Sequence, residues 1–237
     1  MGCKVSGPRI IVALDFPDSR SALELLDRID PGLCRVKIGK ELFTRSGPAL
    51  VRQVIDLGFD VFLDLKFHDI PATVANACSA AADLGVWMLN VHALGGEKML
   101  HAARESVDRN NPGTLLIAVT VLTSMETEDL EKVGVHHPVE QEVLLLARLA
   151  KSCGVDGVVC SGNEVRPVAQ SCGSDFILVT PGIRPRGEKQ HDQKRVMTPE
   201  EAIRTGSHYL VMGRPVTRAE DPREVLEQLE IEIHNVS

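Results

Sequence analysis

The chain is short of everything that would place it in a membrane, on nucleic acid or in an oxidising compartment. Its longest apolar runs, such as TLLIAVTVL at 114–122, fall far below the roughly 20 residues a helix needs to cross a bilayer. The opening MGCKVSGPR has no apolar centre of a secretory signal; it fits the loose myristoylation pattern through Gly2 and Ser6, which is short enough to arise by chance. Positive charge is not in excess either. At a net charge of −7 the chain lacks the basic surface that releases counterions from nucleic acid or anionic lipid, so no nucleic-acid and no membrane partner is expected. A local cationic pocket remains open. The six cysteines, at 3, 34, 78, 153, 160 and 172, form no CxxC pair and no zinc-spaced cluster with histidine. They read as small buried hydrophobes in a reducing compartment, and a soluble, cytoplasmic protein is expected. His136, His137 and His208 likewise have no carboxylates or thiols at ligand spacing, so no metal site is expected there. No low-complexity linker, charge block or tandem repeat divides the 237 residues, so one domain spanning 1–237 is expected, with a flexible segment at 1–8.

What is present is an alternation. Short apolar runs, punctuated by Gly, Pro, Asp or Ser, predict strands at 10–15, 34–39, 61–66, 87–92, 115–122, 157–161, 176–182 and 209–213. Amphipathic stretches between them predict helices at 18–29, 47–57, 72–84, 97–107, 139–152, 163–171, 198–205 and 221–233. Strands that are apolar on both faces imply a parallel sheet covered by helices, and eight such units suit an α/β fold, the closed (β/α)8 TIM barrel. An open doubly wound sheet is the alternative.

Polar residues gather at the C-terminal ends of these strands: Asp15, Lys37, Asp64 with Lys66, His92, Thr123, Ser161, Pro181-Gly182 and Gly213-Arg214. In a barrel that end carries the active site, so residues distant in sequence converge there. A single Asp or Ser after a strand is more often a helix cap, which is the reading for Asp18 and Ser161. That reading fails for Lys37 and for the Asp64/Lys66 pair. Strand residues two apart share a face, and a buried ammonium is costly without ionic partners. Asp69, just ahead of Pro71, could cap the next helix. It could equally extend a charge chain of Lys37, Asp64, Lys66 and Asp69, in which flanking carboxylates hold a lysine protonated as a proton donor beside fixed negative charge.

At FLDLKFHDIPATV the chain resembles the orotidine 5'-monophosphate decarboxylase family, whose DxKxxDIxxT pattern is met by Asp64, Lys66, Asp69, Ile70 and Thr73. The likeness continues in VALDF with Asp15, VKIGKELF with Lys37, VTVLTSM with Thr123, VTPGIRP with Pro181 and Arg184, DQKRVMTP with Gln193 and LVMGRPV with Gly213 and Arg214. These segments follow the family's order over almost the whole chain. Ala72 departs from the Asn that many relatives carry, at an uncharged position. The resemblance implies a cofactor-free and metal-free conversion of orotidine 5'-monophosphate to uridine 5'-monophosphate (UMP) and carbon dioxide, the last step of pyrimidine nucleotide synthesis. It implies that Lys66 protonates C6 of the ring, with Asp64, Asp69 and Lys37 as the remaining charged machinery. It also implies a homodimer in which Asp69 and Thr73 enter the neighbouring subunit's site.

The phosphate end is legible without the family. GIRPRGEKQHDQKR at 182–195 is polar, MGRPV at 212–216 pairs glycine with arginine ahead of a proline that can open a helical turn, and these are the seventh and eighth loops, where barrels bind phosphate. Backbone N–H groups near Gly213 and the fork of Arg214, with Gln193 reaching over from a lid, suit a phosphate dianion. Arg184 belongs to the same end with a less defined role. Two other readings stay open: a magnesium-dependent barrel decarboxylase of keto sugar phosphates, which shares the DxK arrangement, and a non-catalytic nucleotide binder on a barrel.

Overall fold

The computed structural model describes residues 7–185 and 197–236, and strand and helix alternate along them. β1 (Ile10–Ala13) leads to α1 (Ser19–Leu26), β2 (Arg35–Gly39) to α2 (Lys40–Asp56), and β3 (Val61–Phe67) to α3 (Pro71–Ala82). β4 (Met88–His92) passes through a 3-10 turn to α4 (Glu97–Asn110), and β5 (Leu115–Val119) precedes two helices, α5 (Thr127–Lys132) and α6 (Val139–Ser152). β6 (Gly157–Val159), α7 (Gly162–Cys172), β7 (Ile177–Pro181), α8 (Pro199–Thr205), β8 (Tyr209–Met212), α9 (Arg214–Thr217) and α10 (Pro222–His234) complete the order. Each strand pairs in parallel with the next, and β8 closes on β1. The fold is therefore the closed (β/α)8 barrel, and the open sheet is excluded.

Side-chain parity places the residues. Along each strand one set faces the helices and joins the large outer core, with Ile10, Val12, Val36, Ile38, Leu63, Leu89 and Val91 all at 0–1% exposure. The opposite set, Ile11, Phe62, Met88, Ile117, Ile177, Val179 and Tyr209, forms a second apolar cluster inside the barrel. The N-terminal end of that interior is occupied by Arg35, whose guanidinium lies 4.2 Å from the Trp87 ring centre and pairs with Asp60 at 3.0 Å. This end is filled and charge-balanced by Arg35 and Asp60. The Arg35 guanidinium also donates to the carbonyl of Pro8, which ties down the last residue of the segment expected to be flexible; residues 1–6 of that segment lie outside the described residues.

Local chemistry sets the helix starts. Asp18 accepts from the Ser21 N–H at 2.8 Å as the cap of α1. Ser161 stands at the cap position of α7 with Glu164 accepting from its N–H at 2.7 Å. Both match the sequence reading. Three expectations need correction. α2 begins at Lys40, not at 47: Gly47, at φ 62 and ψ −166, bends one helical run into two, and the Gly47-Pro48 pair reads in sequence as a helix start. α5 escapes a periodicity search because it has six residues and buries only Leu130. The strand expected at 115–122 stops at Val119, since β6 runs only from Gly157 to Val159 and offers no further ladder.

Candidate active site

The mouth at the C-terminal ends of the strands holds a cleft of about 310 Å³. Lining it are Asp15, Lys37, Asp64, Lys66, Thr123, Pro181, Arg184, Gly213 and Arg214, together with apolar side chains such as Phe62, Val119 and Val179 on its floor. Six separate βα units thus bring their expected residues to one place. Among the described residues four cations face two carboxylates there, so this lining is cationic on a chain of net −7.

Asp64 is the centre of the charge array. Inward parity puts it one layer above Phe62, where its side chain is 11% exposed. Its Oδ1 accepts from the Lys66 ammonium at 2.5 Å and from Asn90 Nδ2 at 2.7 Å, and its Oδ2 lies 3.3 Å from the Lys37 ammonium. Lys37 also lies 3.4 Å from Asp15. The chain Asp15, Lys37, Asp64, Lys66 is therefore continuous. Burial pushes the Asp64 carboxyl upward, but Lys37, Lys66 and the hydrogen bonds from Lys66 and Asn90 together outweigh it and leave the group below the ordinary carboxylate value. Asp64 is a stable anion, and it holds two ammonium groups at fixed points of the cleft.

Simple strand alternation does not explain how Lys66 gets there. β3 and β4 are in register at Leu63 and Leu89 and resume at Phe67 and Val91, so β3 carries extra residues between the two points. Within that bulge Lys66 adopts φ 52, the one positive φ outside glycine among the described residues. A left-handed lysine costs on the order of 1–3 kcal/mol and persists only where surrounding contacts hold it. The ammonium still meets Asp64, but through a bulge that residue spacing does not reveal. Asn90 is the residue that sequence reasoning missed. It is fully buried on β4, its Oδ1 accepts the Lys66 N–H at 2.7 Å, and the one visible signal was an amide inside the otherwise apolar run WMLNV.

Other expected residues fall elsewhere. His92 does not line the cleft: it packs against the exposed His68 with ring centres 5.5 Å apart. Burial first, then His68, Lys40 and Lys66, hold its imidazole down at about 4, so it is neutral near pH 7. Asp69 and Thr73 are exposed and outside the cleft of their own chain, and Asp69 Oδ1 accepts from the Ile70 N–H at 2.6 Å instead of meeting Lys66. Gln193 lies outside the described residues. Arg184 lines the cleft at 8% exposure, its N–H bonded to the Met197 carbonyl at 3.1 Å. Among the described residues, no three His, Cys, Asp or Glu side chains gather at metal-binding distance, and no helix is long and apolar enough to cross a membrane.

The chain is similar to known proteins over nearly its whole length. The sequence model of the orotidine 5'-phosphate decarboxylase / HUMPS family matches residues 8–229. An orotidine 5'-phosphate decarboxylase of Nitrosospira multiformis is 56% identical over 233 residues, covering 98% of this chain and 96% of the relative. That of Nitrosococcus oceani is 55% identical, covering 96% and 98%. The crystal structure of the Lactobacillus acidophilus orotidine 5'-phosphate decarboxylase superposes with a TM-score of 0.86 at 38% identity, covering 94% of this chain and 98% of that one.

Proposed function

The chain belongs to the orotidine 5'-phosphate decarboxylase family and converts orotidine 5'-monophosphate to UMP and carbon dioxide in pyrimidine synthesis, and from that premise we propose how its residues divide the work. Lys66 is the proton donor. The bond from C6 to the carboxylate breaks, carbon dioxide departs without the electron pair, and that pair takes a proton from the Lys66 ammonium, which water then restores. The observation that carries this reading is the continuous array of Asp15, Lys37, Asp64 and Lys66 on the cleft wall. An ammonium anchored by a permanent carboxylate needs no reorganisation as charge develops at C6. Asp64, beside the departing carboxylate, adds repulsion that is relieved as carbon dioxide leaves.

The phosphate belongs at the other side of the cleft, between Arg184, Arg214 and the backbone at Gly213, with Gln193 and Thr123 as further contacts. Support comes from the cationic lining of the cleft, and from Arg184, whose side chain lines it on a residue only 8% exposed. Pro181 closes the wall between phosphate and ring, and Asp15 with Lys37 faces the sugar. Asp69 and Thr73 serve the site of a second copy in a homodimer. Residues 68–73 are all exposed, and Ile70, at 67% exposure, is an apolar side chain that a partner would cover. A cytoplasmic location and the absence of any cofactor belong to the same reading.

Lys66→Ala tests it. Loss of the orotate ring absorbance should slow by at least the 10²- to 10⁴-fold that a positioned general acid contributes, while UMP binding by calorimetry stays within about threefold. Turnover within about tenfold of the unmodified enzyme would remove Lys66 from this role.

A further inference from the structure

Asn90 touches Lys66 at its backbone and Asp64 at its carboxylate, and those two groups ask opposite things of it. The Lys66 N–H can only donate, and Asn90 Oδ1 accepts from it at 2.7 Å. The Asp64 carboxylate can only accept, and Asn90 Nδ2 donates to its Oδ1 at 2.7 Å. A terminal amide supplies one acceptor and donors side by side, whereas an ionised carboxylate offers acceptors alone and an aliphatic group offers neither. The Asp64 oxygen that Asn90 contacts is the one that receives the Lys66 ammonium at 2.5 Å. The bonds therefore close a ring: Lys66 N–H to Asn90, Asn90 to Asp64, and Asp64 back to Lys66 Nζ.

We infer that Asn90 is a positioning residue for decarboxylation, clamping the left-handed backbone of Lys66 and the Asp64 oxygen that aims its ammonium into the cleft. The inference rests on the proposed role of Lys66 as proton donor. Two observations beyond the hydrogen bonds support it. Lys66 is the one non-glycine residue with positive φ among those described, and it sits in the bulge where β3 leaves the ladder of β4 between Leu63 and Phe67. The N–H freed by that break is taken by Asn90. Asn90 itself stays in the β4 ladder opposite Ile117 of β5, at 0% exposure, so the clamp is built on a rigid strand.

Asn90→Ala removes both halves of the clamp, and Asn90→Asp converts it into a titratable one. In Asn90→Asp the new carboxyl faces Asp64 and Lys66 on β3, with Lys37 on β2 beyond Asp64 and His92 two residues along β4, while β5 presents only apolar Ile117 and Val119. Two adjacent carboxyls share a proton. In the singly protonated pair the new group donates to Asp64 and accepts from Lys66, as the amide does; when the pair is fully ionised the donor is lost and repulsion replaces it.

The expected result for Asn90→Ala is a kcat lower by about 10- to 100-fold, the cost of misplacing a reacting group by up to about 1 Å, with KM and the UMP Kd within about threefold. Asn90→Asp should recover kcat toward the unmodified value as pH falls and lose it as pH rises, a limb absent from the unmodified enzyme. A kcat within about twofold in folded Asn90→Ala overturns the inference, as does UMP binding that falls in step with kcat, or an Asn90→Asp profile parallel to that of the unmodified enzyme. Should Asn90→Ala fail to fold, Asn90→Asp, of nearly the same volume, carries the test; if neither folds, Asn90 is a folding residue and the inference falls. Lys66→Ala is assayed alongside. Retained turnover there removes the underlying reading, whereas an inactive Lys66→Ala beside a fully active Asn90→Ala removes only the role of Asn90.

Discussion

Replacing Asp64 by asparagine removes the one anion that two lysines share, and its consequences can be worked from the contacts. Asp64 accepts from Lys66 at 2.5 Å and Asn90 at 2.7 Å, and lies 3.3 Å from Lys37, with its side chain 11% exposed. The amide of Asp64→Asn keeps one acceptor oxygen, so it satisfies one lysine and turns an N–H₂ toward the other. Breaking a buried pair by neutralising one partner costs about 3–5 kcal/mol. For a chain of this size each kcal/mol moves Tm by roughly 2–4 °C, so the variant should melt roughly 6–20 °C lower at neutral pH. The folded carboxyl lies below its ordinary value, so its stabilisation is present above the unfolded pKa of about 3.9 and is lost as pH falls through the folded value. Asp64→Asn cannot titrate there, and the Tm gap between the two proteins should narrow below about pH 4. Calorimetric melts from pH 7.5 downward read this directly. Catalysis should suffer separately, by about 10²-fold in kcat, because the proton donor has lost its anchor. If Asp64 also repels the substrate carboxylate, Asp64→Asn should bind orotidine 5'-monophosphate more tightly relative to UMP. A Tm gap that does not change with pH, or a variant as stable and as active as the unmodified protein, would refute the reasoning.

Two further outcomes are expected. Arg184→Ala and Arg214→Ala should each lower kcat/KM for orotidine 5'-monophosphate by roughly 10- to 150-fold, the equivalent of about 1.5–3 kcal/mol for one charge-assisted hydrogen bond; added phosphite should speed turnover of a phosphate-free substrate by the intact enzyme, and an unchanged kcat/KM would misplace the phosphate. Mixing inactive Lys66→Ala and Asp69→Ala proteins should restore activity, because random exchange makes about half the dimers mixed and leaves roughly a quarter of all sites with both groups intact; exchange verified by mass without any return of activity would confine Asp69 to its own subunit.

The strands were legible because both of their faces are apolar, a pattern that survives any uncertainty about which strand neighbours which. Arg184 and Arg214 were legible for a similar reason: the βα order places the seventh and eighth loops at one mouth before any contact is known. Gly47 was misleading, because a bend inside one helical run and the start of a new helix use the same residues. α5 was invisible, since a helix that buries only Leu130 leaves no periodic trace.

Chain chemistry alone determined the alternation of strands and helices and the strand-end position of Asp15, Lys37, Asp64 and Arg214, because these follow from the period within each segment, and it required an ionic partner for Lys66, because a buried charge without one is costly. Tertiary structure decided the rest. Parallel pairing of neighbouring strands set Asp15 beside Lys37 at 3.4 Å across 22 positions, and Asn90 beside Asp64 at 2.7 Å across 26. The left-handed turn at Lys66 is likewise a tertiary outcome: lysine has no preference for φ 52, and the conformation exists because β3 slips out of register with β4 and Asn90 accepts the N–H thus released. Contacts between strands, unlike periods within them, leave no mark on the order of residues, which is why Lys66 could be found by reading the chain and Asn90 only by folding it.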